Sequence, residues 1–130
     1  MRTHKDLDVW KQAVDLSVAC YDVTRGFPRE EHFGLTAQMR RAATSIACNI
    51  AEGAARASTK EFVHFLYISL GSASELDTQI EIARRNGFGE PPDLEKLQMQ
   101  TGTISRMLQG LIRSVRRGGS SVTSNQSPVQ

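Results

Sequence analysis

Apolar side chains recur every three or four residues in four segments, and no alternating pattern persists long enough to predict a strand. The spacing is most regular in the last of these segments, between positions 94 and 115. Intervals of three and four residues alternate there along a single seam formed by Leu94, Leu97, Thr101, Ile104, Leu108, Leu111 and Val115. Such a seam predicts a long helix that packs in the manner of a coiled coil.

Two further helices are predicted before residue 57. The first covers about 8–25 and ends at the helix-breaking run 26–28, which contains both glycine and proline. Its expected buried stripe consists of Trp10, Ala13, Val14, Ser17, Cys20, Tyr21 and Thr24. The second begins at Glu30, or more firmly at Leu35, and extends to Arg56.

The third helix has clear signals at both ends. Ser58 and Glu61 form a capping box at its start, and Gly87 follows its predicted last residue, Asn86. A turn at 90–93 is expected to separate it from the fourth helix. Four helices joined by short turns predict an all-α, up-down-up-down four-helix bundle over residues 1–117. Residues 118–130 are polar, uncharged and aperiodic, which predicts a disordered tail.

The second helix has an unusual distribution of side chains around its axis. One face is conventionally apolar and contains Leu35, Met39, Ala42, Ala43, Ile46 and Ile50. A second face holds only small residues, namely Ala37, Thr44, Cys48, Ala51 and Ala55. A narrow polar seam lies between them, formed by Gln38, Arg41, Ser45, Asn49, Glu52 and Arg56. The pattern predicts a helix that contacts other subunits, with Arg41, Asn49 and Glu52 as an interface network. A mildly polar exposed stripe on an alanine-rich helix is the alternative.

Composition adds a mainly aliphatic core, because 39% of residues are hydrophobic but only 6% are aromatic. A net charge of +2 argues against a uniformly basic nucleic-acid binder. The bundle topology, however, is expected to gather basic residues at one pole, namely Arg2, Lys5, Arg56, Lys60, Arg113, Arg116 and Arg117. This pole is a candidate for binding phosphate backbones, and the alternative is that its arginines complement the dipole of a helix end. No aromatic side chain except Trp10 is expected beside it, so base stacking is not predicted.

No catalytic, cofactor, metal or small-molecule site is predicted. Glu61 and His64 form one Glu-x-x-His motif, whereas di-iron bundles need two. Cys20 and Cys48 are expected at different levels of a helical hairpin, too far apart for a disulfide, and both are expected to be small core residues. Glycines at 71, 102 and 110 are explained by close helix approach.

The N-terminal residues lack an apolar leader and no span is long enough to cross a membrane, so a cytoplasmic location is expected.

Several runs of residues together resemble a known family. They are Phe33-Gly34-Leu35, Gln38, Arg41-Ala42-Ala43, Ser45-Ile46 and Asn49-Ile50-Ala51-Glu52-Gly53. Supporting matches occur at Leu7-Asp8-Val9-Trp10, Phe27-Pro28, Glu61-Phe62, Phe65-Leu66 and Gly71-Ser72 with Glu75. Over about residues 7–113 the chain resembles bacterial four-helix bundle proteins encoded in 23S rRNA intervening sequences.

The resemblance implies a left-handed bundle that assembles as a homopentamer and has no known catalytic activity. A related branch, the accessory proteins of diversity-generating retroelements, consists of basic pentamers that bind nucleic acid and a reverse transcriptase. The lower positive charge of this chain argues against the reverse-transcriptase role. Two functions therefore stay open: an oligomer that binds RNA or DNA through its basic pole, and an oligomeric adaptor whose partner is another protein.

Overall fold

The computed structural model describes residues 3–118, within which four α-helices contain most of the chain. These are α1 (Asp8–Thr24), α2 (Leu35–Ala54), α3 (Thr59–Asn86) and α4 (Pro91–Gly118). One-turn 3₁₀ helices at His4–Asp6 and Arg29–Glu31 precede α1 and α2. The predicted all-α bundle is confirmed. Arg2 and residues 119–130, which include nearly all of the predicted tail, lie outside the described part of the chain.

The predicted ends of α3 are confirmed, and the predicted start of α4 is wrong. The hydroxyl of Ser58 accepts a hydrogen bond from the backbone N–H of Glu61, and Gly87 has φ +75° just after Asn86. The turn expected at 90–93 is instead largely helical, because α4 begins at Pro91. Proline suits a first helical turn, where an N–H group would have no helical partner. At its other end α4 includes Gly118, the first residue of the predicted tail.

Cross-helix hydrogen bonds show how neighbouring helices are oriented. Ser69 donates to the carbonyl of Ile46, and the hydroxyls of Ser45 and Ser72 are 2.9 Å apart. Residue numbers therefore fall along α3 as they rise along α2, so the two helices are antiparallel. Between α3 and α4, Gln98 donates to Asp77, and Arg116 donates to Tyr67. These two helices are antiparallel as well, which places the end of α4 beside the start of α3.

The core is aliphatic, as the composition predicts. Every residue of the predicted α4 seam is buried, and Ile112 adds to it. The stripe predicted for α1 is only partly correct, because Val9 and Leu16 are fully buried whereas Tyr21 is 38% exposed. Helix α1 packs against both α2 and α4. Its buried surface is therefore displaced from the single stripe that periodicity alone suggests.

Close helix approach occurs at a glycine that the sequence reasoning did not single out for packing. A Cβ on Gly53 of α2 would lie 2.8 Å from the Cβ of Phe65 and 3.2 Å from the carbonyl oxygen of Phe62. No real Cβ tolerates the shorter contact, so α3 approaches α2 closely because residue 53 lacks a side chain. The explanation predicted for residues 71, 102 and 110 is wrong. Gly71 has no atom within 4 Å of its Cβ position, and the other two face only arginine side chains of their own helix.

Candidate subunit and nucleic-acid interfaces

The polar seam of α2 divides into a paired half and an unpaired half. Ser45 and Asn49 belong to the paired half: the amide of Asn49 donates to the carbonyl and the hydroxyl of Ser45, each at 2.9 Å. The Ser45 hydroxyl also contacts Ser72 of α3. These groups satisfy one another within the chain and fix the register of α2 against α3.

The other residues of the seam are not connected to this paired half within one chain. Glu52 forms an ion pair with Arg56, which lies four residues later, just beyond the end of α2. The side chains of Gln38 and Arg41 are exposed and make no hydrogen bond or ion pair to the rest of residues 3–118. Within one chain, Arg41, Asn49 and Glu52 are therefore not joined. Gln38 and Arg41 are the seam residues whose whole polar groups have no hydrogen-bond or ion-pair partner within residues 3–118.

The small-residue face of α2 is accessible in the single chain. Cys48 and Ala55 are exposed, and Ala37, Thr44 and Ala51 are half-buried. The expectation that Cys48 is a core residue is therefore wrong, whereas Cys20 is buried, and neither thiol forms a disulfide. Burial raises the pKa of the Cys20 thiol to about 11, and nearby Arg40 offsets this only in part. The thiol of Cys20 is therefore buried in the core, whereas that of Cys48 is exposed to solvent in the single chain.

A line of exposed side chains on α3, two isoleucines and one glutamate, lies next to this face of α2. Ile68 and Ile82 are 38% and 44% exposed, and Glu75 lies between them at intervals of seven residues. Residues seven apart lie on the same side of a helix, so the three form one line. Because Ser72 and Ser69 hold α3 against α2, this line is next to the polar seam. The combined surface contains small, apolar and polar side chains and carries few charges.

The cations of the predicted basic pole differ in whether their charge is paired within the chain. Arg56 is already engaged: it pairs with Glu52, and its guanidinium carbon lies 4.8 Å from the centre of the Phe65 ring. Lys5 is exposed but has two acidic neighbours, Asp6 and Asp8, close along the chain. Of the two described cations on the α1–α2 side of this end, Arg56 is therefore paired and Lys5 has acidic residues near it in the sequence.

The α3–α4 side of the same end is different. Lys60, Arg113, Arg116 and Arg117 are exposed, and none of them forms an ion pair within residues 3–118. Between positions 104 and 118 the fourth helix contains no acidic residue and four arginines, since Arg106 adds to the three above. We call the surface formed by Lys60, Tyr67, Arg106, Arg113, Arg116 and Arg117 the α3–α4 basic face.

Tyr67 is the member of this face that the sequence reasoning missed. It lies seven residues after Lys60 and thus on the same side of α3. Its side chain is 47% exposed, and its hydroxyl accepts a hydrogen bond of 2.9 Å from Arg116 of α4. The expectation that no aromatic residue except Trp10 accompanies the arginines is therefore wrong. The spacing from Lys60 was the available signal, but the contact with Arg116 depends on how α4 packs.

At the opposite end of α3 the cations are compensated. Glu81 accepts hydrogen bonds from Arg84 and Arg85, the latter at 2.8 Å. These bonds lower the pKa of the Glu81 carboxyl to about 2, and Glu81 in turn raises the pKa of Arg84. Arg25, at the end of α1, pairs with Asp22. Within residues 3–118, the arginines at the ends of α1 and α3 are therefore paired, whereas those at the end of α4 are not.

Other kinds of site find little support in the described part of the chain. No group of three or more His, Cys, Asp or Glu side chains in residues 3–118 is placed to hold a metal ion. His64 is exposed, and its ring packs edge-on against Phe65. In the same range, every helix is too short or too polar to cross a membrane.

Comparisons with known proteins agree with the residue pattern of α2 and α3. A model of the family described as 23S rRNA-intervening sequence protein matches residues 5–110. The chain belongs to this family. The match covers α1 to α3 and most of α4, and it therefore includes Tyr67 and Arg106 of the α3–α4 basic face but ends before Arg113.

A solved structure shows the same fold. It is a protein of unknown function from the S23 ribosomal protein family of Bacteroides thetaiotaomicron VPI-5482. The two chains superpose with a TM-score of 0.75 and share 24% sequence identity, over 81% of this chain and 95% of the other. No curated protein matches the chain. Membership of the 23S rRNA-intervening sequence protein family and the bundle fold are thus established.

Proposed function

We propose that this protein is a non-enzymatic, cytoplasmic homo-oligomer, with five copies as the expected number, that binds the phosphate backbone of RNA or DNA. The observation that carries the proposal is the α3–α4 basic face, where Lys60, Arg113, Arg116 and Arg117 are exposed and free of ion pairs. Cations without intramolecular partners attract phosphates, and binding releases condensed counterions. A repeated subunit would multiply a face that is small on one copy.

The accessible face of α2 supports the oligomer part of the proposal. A helix that contacts solvent on its whole outer side normally carries a broad charged surface. Here the outer side carries Ala37, Cys48, Ala51 and Ala55, with the unpaired side chains of Gln38 and Arg41 beside them. A second copy packed on this face would cover the small residues and supply partners for the two polar ones.

Charge reversal tests the nucleic-acid part. The triple variant Arg113→Glu, Arg116→Glu, Arg117→Glu should lose retention on RNA and DNA at low salt. For the unmodified protein, the logarithm of the binding constant should fall linearly with the logarithm of salt concentration. Each phosphate contact contributes about 0.9 to that slope on duplex DNA and about 0.7 on single strands. Three lost contacts should therefore reduce the slope by about 2 to 3.

A matched control separates local from overall charge. The variant Arg25→Glu, Arg29→Glu, Arg85→Glu makes the same change in net charge at the opposite end of the bundle and should bind almost as well as the unmodified protein. Equal loss in both triple variants would indicate dependence on net charge alone. Unchanged retention in the first variant would show that the α3–α4 basic face does not bind nucleic acid.

Light scattering and thiol labelling test the oligomer. The proposal expects a mass of about five times 14.4 kDa, and a particle of 14.4 kDa would contradict it. In the assembled state Cys48 should be protected from an alkylating reagent, whereas dilution or Arg41→Ala should expose it. The α-helical circular dichroism should stay nearly unchanged on Arg41→Ala, because the exposed Arg41 side chain makes no hydrogen bond or ion pair within residues 3–118. Rapid labelling of Cys48 in an intact oligomer would show that the subunit interface does not cover this face of α2.

The alternative function is an oligomeric adaptor for another protein. Large exposed apolar side chains favour it, above all Phe33 and Met99, which are 90% and 67% exposed. Such side chains are common at protein–protein contacts. An oligomer that fails to bind nucleic acid at any salt concentration would favour this function.

A further inference from the structure

We infer that the α3–α4 basic face binds unpaired nucleotides and stacks a base on Tyr67. The inference rests on the proposed function and goes beyond it, because it names single-stranded RNA or DNA, rather than duplex, as the preferred ligand. It also replaces the purely backbone-directed mode that the sequence suggests.

The environment of Tyr67 combines the two groups that a single-strand site needs. Its ring is 47% exposed on the outer side of α3, so a flat apolar surface is open to a ligand. The hydrogen bond from Arg116 to its hydroxyl joins it to an unpaired cation. Sites for single strands combine aromatic rings, on which bases stack, with positive charges that follow the backbone. Duplex DNA offers no exposed base face to such a ring.

The placement of the cations around Tyr67 suits a strand rather than a point anion. Lys60 lies two turns before Tyr67 on the same side of α3, a distance of about 10 Å along the helix axis. On α4, Arg113 is one turn from Arg116, and Arg106 is a further two turns away. The positive charges therefore extend in both directions from the ring along the bundle axis: Lys60 lies toward the start of α3, and Arg113 and Arg106 lie toward the start of α4. The nearest acid in sequence, Glu61, interacts with Ser58 at the helix start and is rotated by about 100° from Lys60.

The groove beyond Tyr67 is open and polar. Toward the middle of the bundle, α3 and α4 enclose a cleft of about 300 Å³, lined by Ser74, Thr78, Thr101, Gly102 and Ser105 together with Asp77. Gly71, between this cleft and Tyr67, has no neighbouring atom at its Cβ position. A ligand on the ring of Tyr67 therefore meets no bulky side chain at Gly71, and the hydroxyls of Ser74 and Ser105 lie beyond it to bind a sugar or a base edge.

The test compares Tyr67→Ala with Phe33→Ala in binding to a 15-nucleotide single strand and to a duplex of the same sequence. Phe33→Ala is the matched control, because it removes an exposed aromatic ring at the opposite end of the bundle. Tyr67→Ala should weaken single-strand binding about 5- to 150-fold and duplex binding less than about twofold. Tyr67→Phe should retain most of the single-strand affinity, since it keeps the ring, whereas Tyr67→Leu should not. Circular dichroism of each variant should match the unmodified protein.

The outcomes separate this inference from the proposed function. If the unmodified protein binds neither single strand nor duplex, the proposed function and the inference both fail. If it binds both and Tyr67→Ala weakens them equally or not at all, only the inference fails. If Tyr67→Ala lowers the oligomer mass measured by light scattering, Tyr67 belongs to a subunit contact and the inference is wrong. Selective loss of single-strand binding with an unchanged mass supports it.

Discussion

Helix α3 contacts two neighbours in two different ways. Toward α2 it packs closely: Phe65 and Phe62 approach Gly53, and the hydroxyl of Ser69 donates to the backbone of Ile46. Toward α4 its outer edge is open. Gly71, on the exposed outer side of α3, has no neighbouring atom at its Cβ position, and the polar side chains at the surface meet α4 through single hydrogen bonds such as that between Arg116 and Tyr67.

The difference shows that glycine has two opposite roles on these helices. At Gly53 the missing side chain permits two backbones to approach, so the glycine stabilises the packed bundle. At Gly71 it permits no contact within the chain, yet it lowers the intrinsic stability of the helix by about 1 kcal/mol relative to alanine. A close α2–α3 side therefore maintains the fold, whereas the open α3–α4 edge is accessible to a ligand.

The largest effect on stability is expected from Gly53→Ala. The added methyl group would lie 2.8 Å from the Cβ of Phe65, and neither this atom nor the nearby carbonyl of Phe62 belongs to a flexible side-chain end. Overpacking of this kind should lower the free energy of unfolding by about 1–3 kcal/mol, even after the helix propensity of alanine is included. Urea unfolding followed by circular dichroism measures it. A neutral or stabilising result would show that α2 and α3 are not so close.

Gly71→Ala should have a smaller effect of the opposite sign. With open space at the Cβ position, alanine should raise the free energy of unfolding by about 0.5–1 kcal/mol through helix propensity alone. The same denaturant titration measures it, and Gly102→Ala provides a comparison at a half-buried glycine whose Cβ would meet only the side chain of Arg106, at 3.6 Å. Destabilisation of the unassembled chain by Gly71→Ala would remove the contrast between the two sides of α3.

The smallest effect concerns the paired end of α3. The folded-state pKa of Glu81 is about 2, below its ordinary value of 4.5, because Arg84 and Arg85 donate to the carboxylate. A carboxyl group with a lowered pKa stabilises the fold above pH 4.5, and that contribution is lost as the pH falls from about 4.5 to 2. Glu81→Gln should reduce the acid dependence of the urea midpoint slightly in this range. The exposure of the arginines keeps the effect small. An identical acid dependence in both proteins would mean that the pairs do not persist in solution.

The regular parts of the fold were predictable because they depend on local periodicity. Leu94, Leu108 and Val115 lie three and four residues from their neighbours in the seam, and the structure buries all of them. The ends of α3 were predictable because Ser58 and Gly87 act on adjacent backbone groups. The start of α4 was predicted wrongly because proline is found both after the end of one helix and in the first turn of the next. Here Pro91 is the first residue of α4.

The candidate sites were less predictable, because each depends on residues that are distant in the sequence. A helical wheel places Arg56 with the other cations, but its pairing with Glu52 and its contact with Phe65 depend on side-chain packing. Cys48 was predicted to be a core residue because it lies on the small-residue face of α2. In the single chain, α1 and α3 cover other sides of α2 and leave Cys48 exposed. Tyr67 could not be assigned to the basic face from the sequence, because its hydrogen bond of 2.9 Å from Arg116 depends on how α4 packs against α3.

The sequence alone is enough to predict that this protein is all-α, where most of its helices begin and end, most of its apolar core, and the family that it resembles. These properties follow from side-chain spacing and capping, which act over one or two helical turns. The tertiary structure decided which glycine allows close packing, which cations keep their charge unpaired, and which aromatic ring lies beside them. Those properties depend on which helices are neighbours and on their relative register, and no local pattern along a single helix contains that information.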